Sequence, residues 1–154
     1  MRGNALARTS AAVAVTAALG GVAVDPRSRW YRRLTKPRWQ PPASVFGIVW
    51  TVLYADLAVT SATALSEATT PRERADYWRG LVVNLALNAG WNWLFWRVRK
   101  PWPATVEAAA LTISSADLVR RTARSHRGAG AALVPYAAWC AFATVLTAAI
   151  ARRN

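Results

Sequence analysis

Nine tryptophans stand among 154 residues, and Trp50, Trp91 and Trp139 lie inside apolar runs rather than at their ends. An indole offers a flat polarisable face and one N–H, so several brought together make a slot for a planar apolar molecule. Trp91 belongs to a stripe, Tyr77, Leu81, Asn84, Asn88, Trp91 and Phe95, whose spacings of 4, 3, 4, 3 and 4 put all six on one helical face. Two amides in an apolar run are costly against hydrocarbon, so this face turns inward or toward a cavity. Phe46, Trp50, Tyr54 and Leu57 form a second stripe, and Pro135, Trp139, Phe142/Ala143 and Leu146 a third.

The remaining reactive side chains are few. Asp56 sits in the middle of an apolar run, where a carboxylate is a functional candidate by default and a protonated or paired carboxyl between helices is the structural alternative. Glu107 lies nearer a run end, within reach of loop groups. His126 stands among arginines and reads as a solvated side chain. The single cysteine, Cys140, excludes an intrachain disulfide, and one histidine excludes a multi-His or Cys/His metal site, so no metal centre is expected. Cys140 adjoins Trp139, and a thiolate there is a candidate axial ligand for haem iron, against the plainer reading of a small buried hydrophobe. No phosphate-cradling glycine loop, Ser/His/Asp set or close carboxylate pair is present. The chemistry is that of binding, with no cofactor required.

The elements that position these groups follow from hydropathy. Hydrophobic residues make up 54% of the chain and charged residues 18%, a membrane-like balance. Mean hydropathy is only +0.13 because the arginines cluster between apolar runs. Five runs appear, giving expected helices at 5–24, 44–66, 76–97, 103–121 and 129–151, with a loop at 25–43, in one domain spanning 1–154. A bilayer crossing takes about 20 residues, so the first and fourth runs need flanking residues with snorkelling arginines. The first run, after Arg2 and Arg8, also resembles a signal peptide; it reads as a helix because no secreted soluble domain follows. The expected fold class is all-α, a five-helix transmembrane bundle. The net charge of +13 is divided among short connectors and forms no helical stripe, which argues against nucleic acid and for anionic headgroups as its partner. Trp30, Trp39, Trp78, Trp96 and Trp102 stand at run ends, as interfacial anchors do. Lysine and arginine number two on the N-terminal flank of the first apolar run and six between it and the second, which orients the 25–43 loop and the C-terminus toward the cytoplasm. Trp50, Asn88, Trp91 and Trp139 then fall in the same half of the bilayer, beneath a loop stiffened by Pro37, Pro41 and Pro42.

Trp30-Tyr31, Leu34, Lys36-Pro37, Trp39, Pro41-Pro42, Phe46, Val49-Trp50 and Leu53-Tyr54 together resemble the loop-and-second-helix motif of the TspO/MBR family, which holds the bacterial tryptophan-rich sensory proteins and the mitochondrial translocator protein. Leu87-Asn88, Trp91 and Phe95 are similar to its third-helix motif, and Pro135-Tyr136, Trp139 and Phe142-Ala143 to its fifth. The resemblance implies a homodimeric five-helix bundle in a bacterial cell membrane with a ligand pocket under the first loop. It implies porphyrins such as protoporphyrin IX or haem as ligands. It implies Tyr31, Phe46, Trp50, Tyr54, Asn84, Asn88, Trp91, Trp139 and Ala143 as pocket residues, with Trp50 and Trp139 catalytic if porphyrin is degraded in light. Asn84 departs from the family's usual Gln, and Asp56 and Asp117 have no place in its pattern. Residues 146–152 lack the aromatic of the animal cholesterol motif, so cholesterol is not an expected partner. Three functions stay open on these grounds: a tetrapyrrole-binding sensor or regulator, a light-dependent porphyrin-degrading enzyme, and a transporter of small amphipathic molecules.

Overall fold

The computed structural model describes residues 2–154; the side chain of Arg2, counted among the N-terminal cations above, lies outside the described residues. Five long helices pack as a bundle: α1 (Arg2–Gly21), α3 (Ala43–Glu67), α4 (Pro71–Asn92), α5 (Pro101–Ser125) and α6 (Arg127–Ala151). A short helix, α2 (Arg29–Arg33), interrupts the first loop, and α4 runs on into a π-helical turn at Trp93–Arg97.

α4 begins at Pro71 rather than at 76. Thr70 Oγ1 accepts the Glu73 N–H, and the Glu73 carboxylate accepts the Thr70 N–H at 3.2 Å, a reciprocal capping box followed by proline at the first helical position. The first apolar residue therefore marks the start of the buried face and not the start of the helix. α5 likewise runs past 121 to Ser125, carried by Asp117 pairing with Arg120 and Arg121 one turn on. One extended residue, His126, joins α5 to α6, and its Nδ1 accepts the Ala129 N–H at 3.0 Å as an N-cap. A Cβ placed on Gly130 would come within 2.5 Å of Ala123 Cα, so only glycine lets the two helices meet so tightly at this corner.

The first run forms a helix docked inside the bundle. Thr9, fully buried, donates to the Ala58 carbonyl at 2.8 Å, and Trp93 Nε1 donates to the Leu19 carbonyl at 3.0 Å. Two helices, α3 and α6, are by themselves long and apolar enough to cross a membrane. The distribution of side chains agrees with a lipid solvent for the rest. Ile48, Val52, Val59, Val82, Val106, Ile113 and Val145 are each more than half exposed, while Asn84, Asn88, Ser61, Ser115 and Thr122 are almost wholly buried. Water would favour the reverse arrangement; hydrocarbon favours apolar groups outside and paired polar groups within.

Candidate functional site

The site begins with a change of helical pitch. Val98 N–H bonds the Trp93 carbonyl at 2.9 Å, five residues back, so the end of α4 is wound as a π-turn, and Arg99 closes it at φ 60°. In a straight α-helix Trp96 would point about 100° away from Phe95. The wider turn lets Trp91, Phe95 and Trp96 all face the same space.

That space is a cleft of about 190 Å³ beneath the first loop, walled by Tyr31, Phe46, Trp50, Trp91, Phe95 and Trp96, with Gln40 at its roof and Thr147 on the α6 side. Trp91 and Phe95 stack at 6.0 Å with planes 19° apart, and Tyr31 lies 4.5 Å from Trp96. Trp91 Nε1 donates to Thr147 Oγ1 at 3.3 Å. Gln40 Nε2 donates to the Tyr31 hydroxyl at 2.9 Å, and Lys36 Nζ stands 4.4 Å over the Tyr31 ring. Burial raises the Tyr31 hydroxyl above its ordinary range. Gln40 Oε1, at the cleft, and Trp139 Nε1, behind Phe46, are buried without a partner. Such groups cost free energy until something meets them. The loop above is tied down by Asn154, whose side chain exchanges hydrogen bonds of 2.8 and 3.0 Å with the Thr35 backbone.

Beneath the cleft runs a polar ladder through the middle of the bundle. Tyr54 donates to Asn88 Oδ1 at 2.7 Å, Asn88 Nδ2 donates to the Tyr136 hydroxyl at 3.2 Å, and Tyr136 donates to Asn84 Oδ1 at 2.7 Å. Asn84 Nδ2 reaches Ser115 at 3.0 Å and Ser114 at 3.2 Å. Four helices are joined by these contacts.

Of the nine pocket residues expected from sequence, Tyr31, Phe46, Trp50 and Trp91 line the cleft. Tyr54 lies one layer below, 5.4 Å from Trp50, and Asn84 and Asn88 belong to the ladder. Ala143 is buried on α6, and Trp139 stands behind Phe46, 5.7 Å away, and against Phe142 at 5.0 Å. Cys140 is fully buried beside Ser115 and does not line the cleft. Asp56 is absent from its walls too. Glu107, expected near loop groups, faces Gly90 instead; a Cβ at Gly90 would fall on its carboxylate.

The third stripe is correct at Ala143 and Leu146, both buried, with Leu146 lining the cleft, and departs from the structure at its start. The buried face of α6 is Leu133, Tyr136, Cys140, Ala143, Thr147 and Ile150, at spacings 3, 4, 3, 4 and 3, and Pro135 is exposed. That series was available in the sequence and carries both Tyr136, the hub of the ladder, and Thr147. Trp96 had no such signal: only the π-turn converts an interfacial anchor into a wall of the cleft.

Compared with known proteins, residues 9–153 match the family model described as TspO/MBR family. The chain is 32% identical over 132 residues to the tryptophan-rich protein TspO of Chlorobaculum tepidum, covering 84% of this chain and 82% of that one. It is 34% identical over 127 residues to the human translocator protein, covering 82% and 75% respectively. It is 28% identical over 125 residues to the uncharacterized membrane protein YtaB of Bacillus subtilis, covering 81% and 80%.

Proposed function

The chain belongs to the TspO/MBR family of membrane proteins, and we propose that it is a receptor that binds a porphyrin, protoporphyrin IX or a haem-like tetrapyrrole, in the aromatic cleft and takes part in tetrapyrrole regulation. The observation that carries this reading is the wall of Tyr31, Phe46, Trp50, Trp91, Phe95 and Trp96, six aromatic side chains around one space. A planar macrocycle stacks on such rings, and the basic loop, with Lys36 and Arg38, offers charge for its carboxylates.

At about 190 Å³ the cleft is smaller than the roughly 300–1,000 Å³ of occupied ligand pockets. A porphyrin therefore enters by widening it. The first loop is the cover that has to lift, and the Asn154–Thr35 and Gln40–Tyr31 contacts are the bonds that lifting breaks. Widening toward α6 exposes Trp139, whose indole N–H lacks a partner and would gain one. The Asn154 contact also supports a common side for the 25–43 loop and the C-terminus, which we assign to the cytoplasm of a bacterial cell. Assembly as a homodimer is part of the same proposal.

A second reading rests on Trp50 and Trp139. An illuminated porphyrin between two indoles can oxidise one of them, and with dioxygen present the ring itself can be consumed. Titrating purified protein with protoporphyrin IX, read by tryptophan quenching and visible absorbance in the dark and in light, tests both. Saturable quenching in the dark is expected; its absence ends the receptor reading. Trp50→Phe and Trp139→Phe keep most of the apolar area, so binding should persist while light-driven bleaching falls. Bleaching at the rate of protein-free detergent in all three proteins rejects the enzyme.

A further inference from the structure

The bundle carries a second, larger depression that the porphyrin reading leaves unused. It measures about 580 Å³ and runs between α1, α3 and α6, lined by Leu6, Asp56, Val59, Thr63, Ala132 and His126 among others. None of its lining residues belongs to the aromatic cleft. Asp56 lies eleven residues from the end of α3 at Glu67, about 16 Å down the helix axis and so near the middle of the bilayer. Its Oδ2 is buried and meets no hydrogen-bond partner, and among the described residues none of the ion pairs reaches it.

The polar lining is one-sided. The hydroxyls of Thr60, Thr63 and Ser66 spend their protons on carbonyls of their own helix, those of Asp56, Val59 and Ala62, at 2.7, 3.0 and 2.8 Å. What they turn to the groove is lone pairs. A carboxyl at the deep end followed by three acceptor oxygens toward the helix end is a site that asks its occupant to donate hydrogen bonds. His126 stands at the outer end, its Nδ1 engaged as the cap of α6. The walls between are Leu6, Val59, Ala62, Ala129 and Ala132, which are apolar.

We propose that this groove binds an amphipathic primary or secondary amine, with the nitrogen paired to Asp56 and the apolar body along α1 and α6. A mid-membrane carboxyl without a partner is costly, and an amine answers it with charge and with donors together. Whichever of the two holds the proton, the pair is net neutral, so the ligand reaches the site from the lipid side without bringing uncompensated charge into hydrocarbon. An anionic porphyrin has the opposite character and belongs to the other site.

The test uses the full chain in nanodiscs and dansylcadaverine, a fluorescent primary amine with an aromatic body, with empty nanodiscs as reference. Wild type should bind it saturably above that reference. Asp56→Asn, nearly isosteric, should weaken binding by about tenfold or more, the scale of losing a charge-assisted contact. The N-acetylated probe, which has lost the aliphatic amine and keeps only the weakly basic arylamine, should bind wild type and Asp56→Asn equally weakly, and excess protoporphyrin should leave the amine in place. Equal affinity of wild type and Asp56→Asn for the amine, displacement by protoporphyrin, or binding no better than to empty nanodiscs overturns the proposal. If Asp56→Asn lacks the helix content of wild type by circular dichroism, Ala132→Phe decides: it fills the groove with the carboxyl intact and should abolish binding, and full binding by it refutes the site.

Discussion

Tyr77, Asn84 and Asn88, within α4 ahead of Trp91, each hydrogen-bond a side chain on another helix. Trp91, Phe95 and Trp96, on the same stripe continued, make ring contacts and a single N–H bond. The helix backbone follows the same division. Its beginning is fixed by a capping box and proline, and its end loosens into a π-turn closed by a residue at positive φ. Directional bonds in a low-dielectric interior hold one arrangement firmly, whereas stacked rings slide at small cost. One helix thus supplies a rigid keel and an adaptable wall, and under the proposed function a ligand would enter at the end where little has to break.

The sharpest way to break this contrast is Tyr136→Phe. It leaves Asn84 Oδ1 and one proton of Asn88 without their partner, and two orphaned buried groups should cost about 2–4 kcal/mol of stability. Thermal unfolding in detergent would measure this; an unchanged midpoint would mean that the ladder is not what holds the four helices. At the other end, Trp139→Ala should weaken porphyrin binding by about 1–3 kcal/mol while lowering stability less than Tyr136→Phe. Trp78→Ala, at the keel end under Arg8, should leave binding nearly unchanged. Equal loss of affinity at both tryptophans would place the ligand elsewhere.

Smaller effects refine the picture. Lys36→Glu combined with Arg38→Glu should reduce porphyrin affinity, and the difference from wild type should shrink as salt is raised, because exposed charges are screened. Affinity indifferent to both changes would reduce the loop to a structural cover. The smallest effect belongs to the cap of α4. The Glu73 carboxylate is held below its usual range, first by the Thr69 N–H and then by that of Thr70. Its folded pKa is depressed, so its stabilising contribution is complete above the unfolded value of 4.5 and is lost as pH falls through the folded one. Glu73→Gln should flatten that part of the stability profile in acid. A profile identical to wild type would show that the cap is not felt by the bundle.

Sequence periodicity reached the α4 stripe in full because its six residues obey one helical repeat and mix amides with rings. It reached the aromatic wall in part: Phe46, Trp50 and Trp91 lie on periodic stripes, Tyr31 came from the family resemblance, and all four line the cleft. Tyr136 escaped because Pro135, next to it, drew the α6 face toward the wrong side, and the tyrosine's partners lie on another helix. Trp96 escaped because an α-helical wheel assumes constant pitch. The start of α4 was written in Thr70, Pro71 and Glu73, but hydropathy is blind to caps made of polar residues.

The π-turn has a consequence in the language of descent. A π-turn holds one residue more than the α-helical turn it replaces, so Trp93–Arg97 is geometrically the footprint of a one-residue insertion. Relatives that build the same wall should keep the same number of residues between the counterparts of Trp91 and Pro101. A relative with one fewer would carry a straight helix there, its counterpart of Trp96 turned out to lipid, and a cleft open on that side. Spacing in this short stretch, rather than the tryptophans themselves, would then sort the family by the shape of what its members can hold.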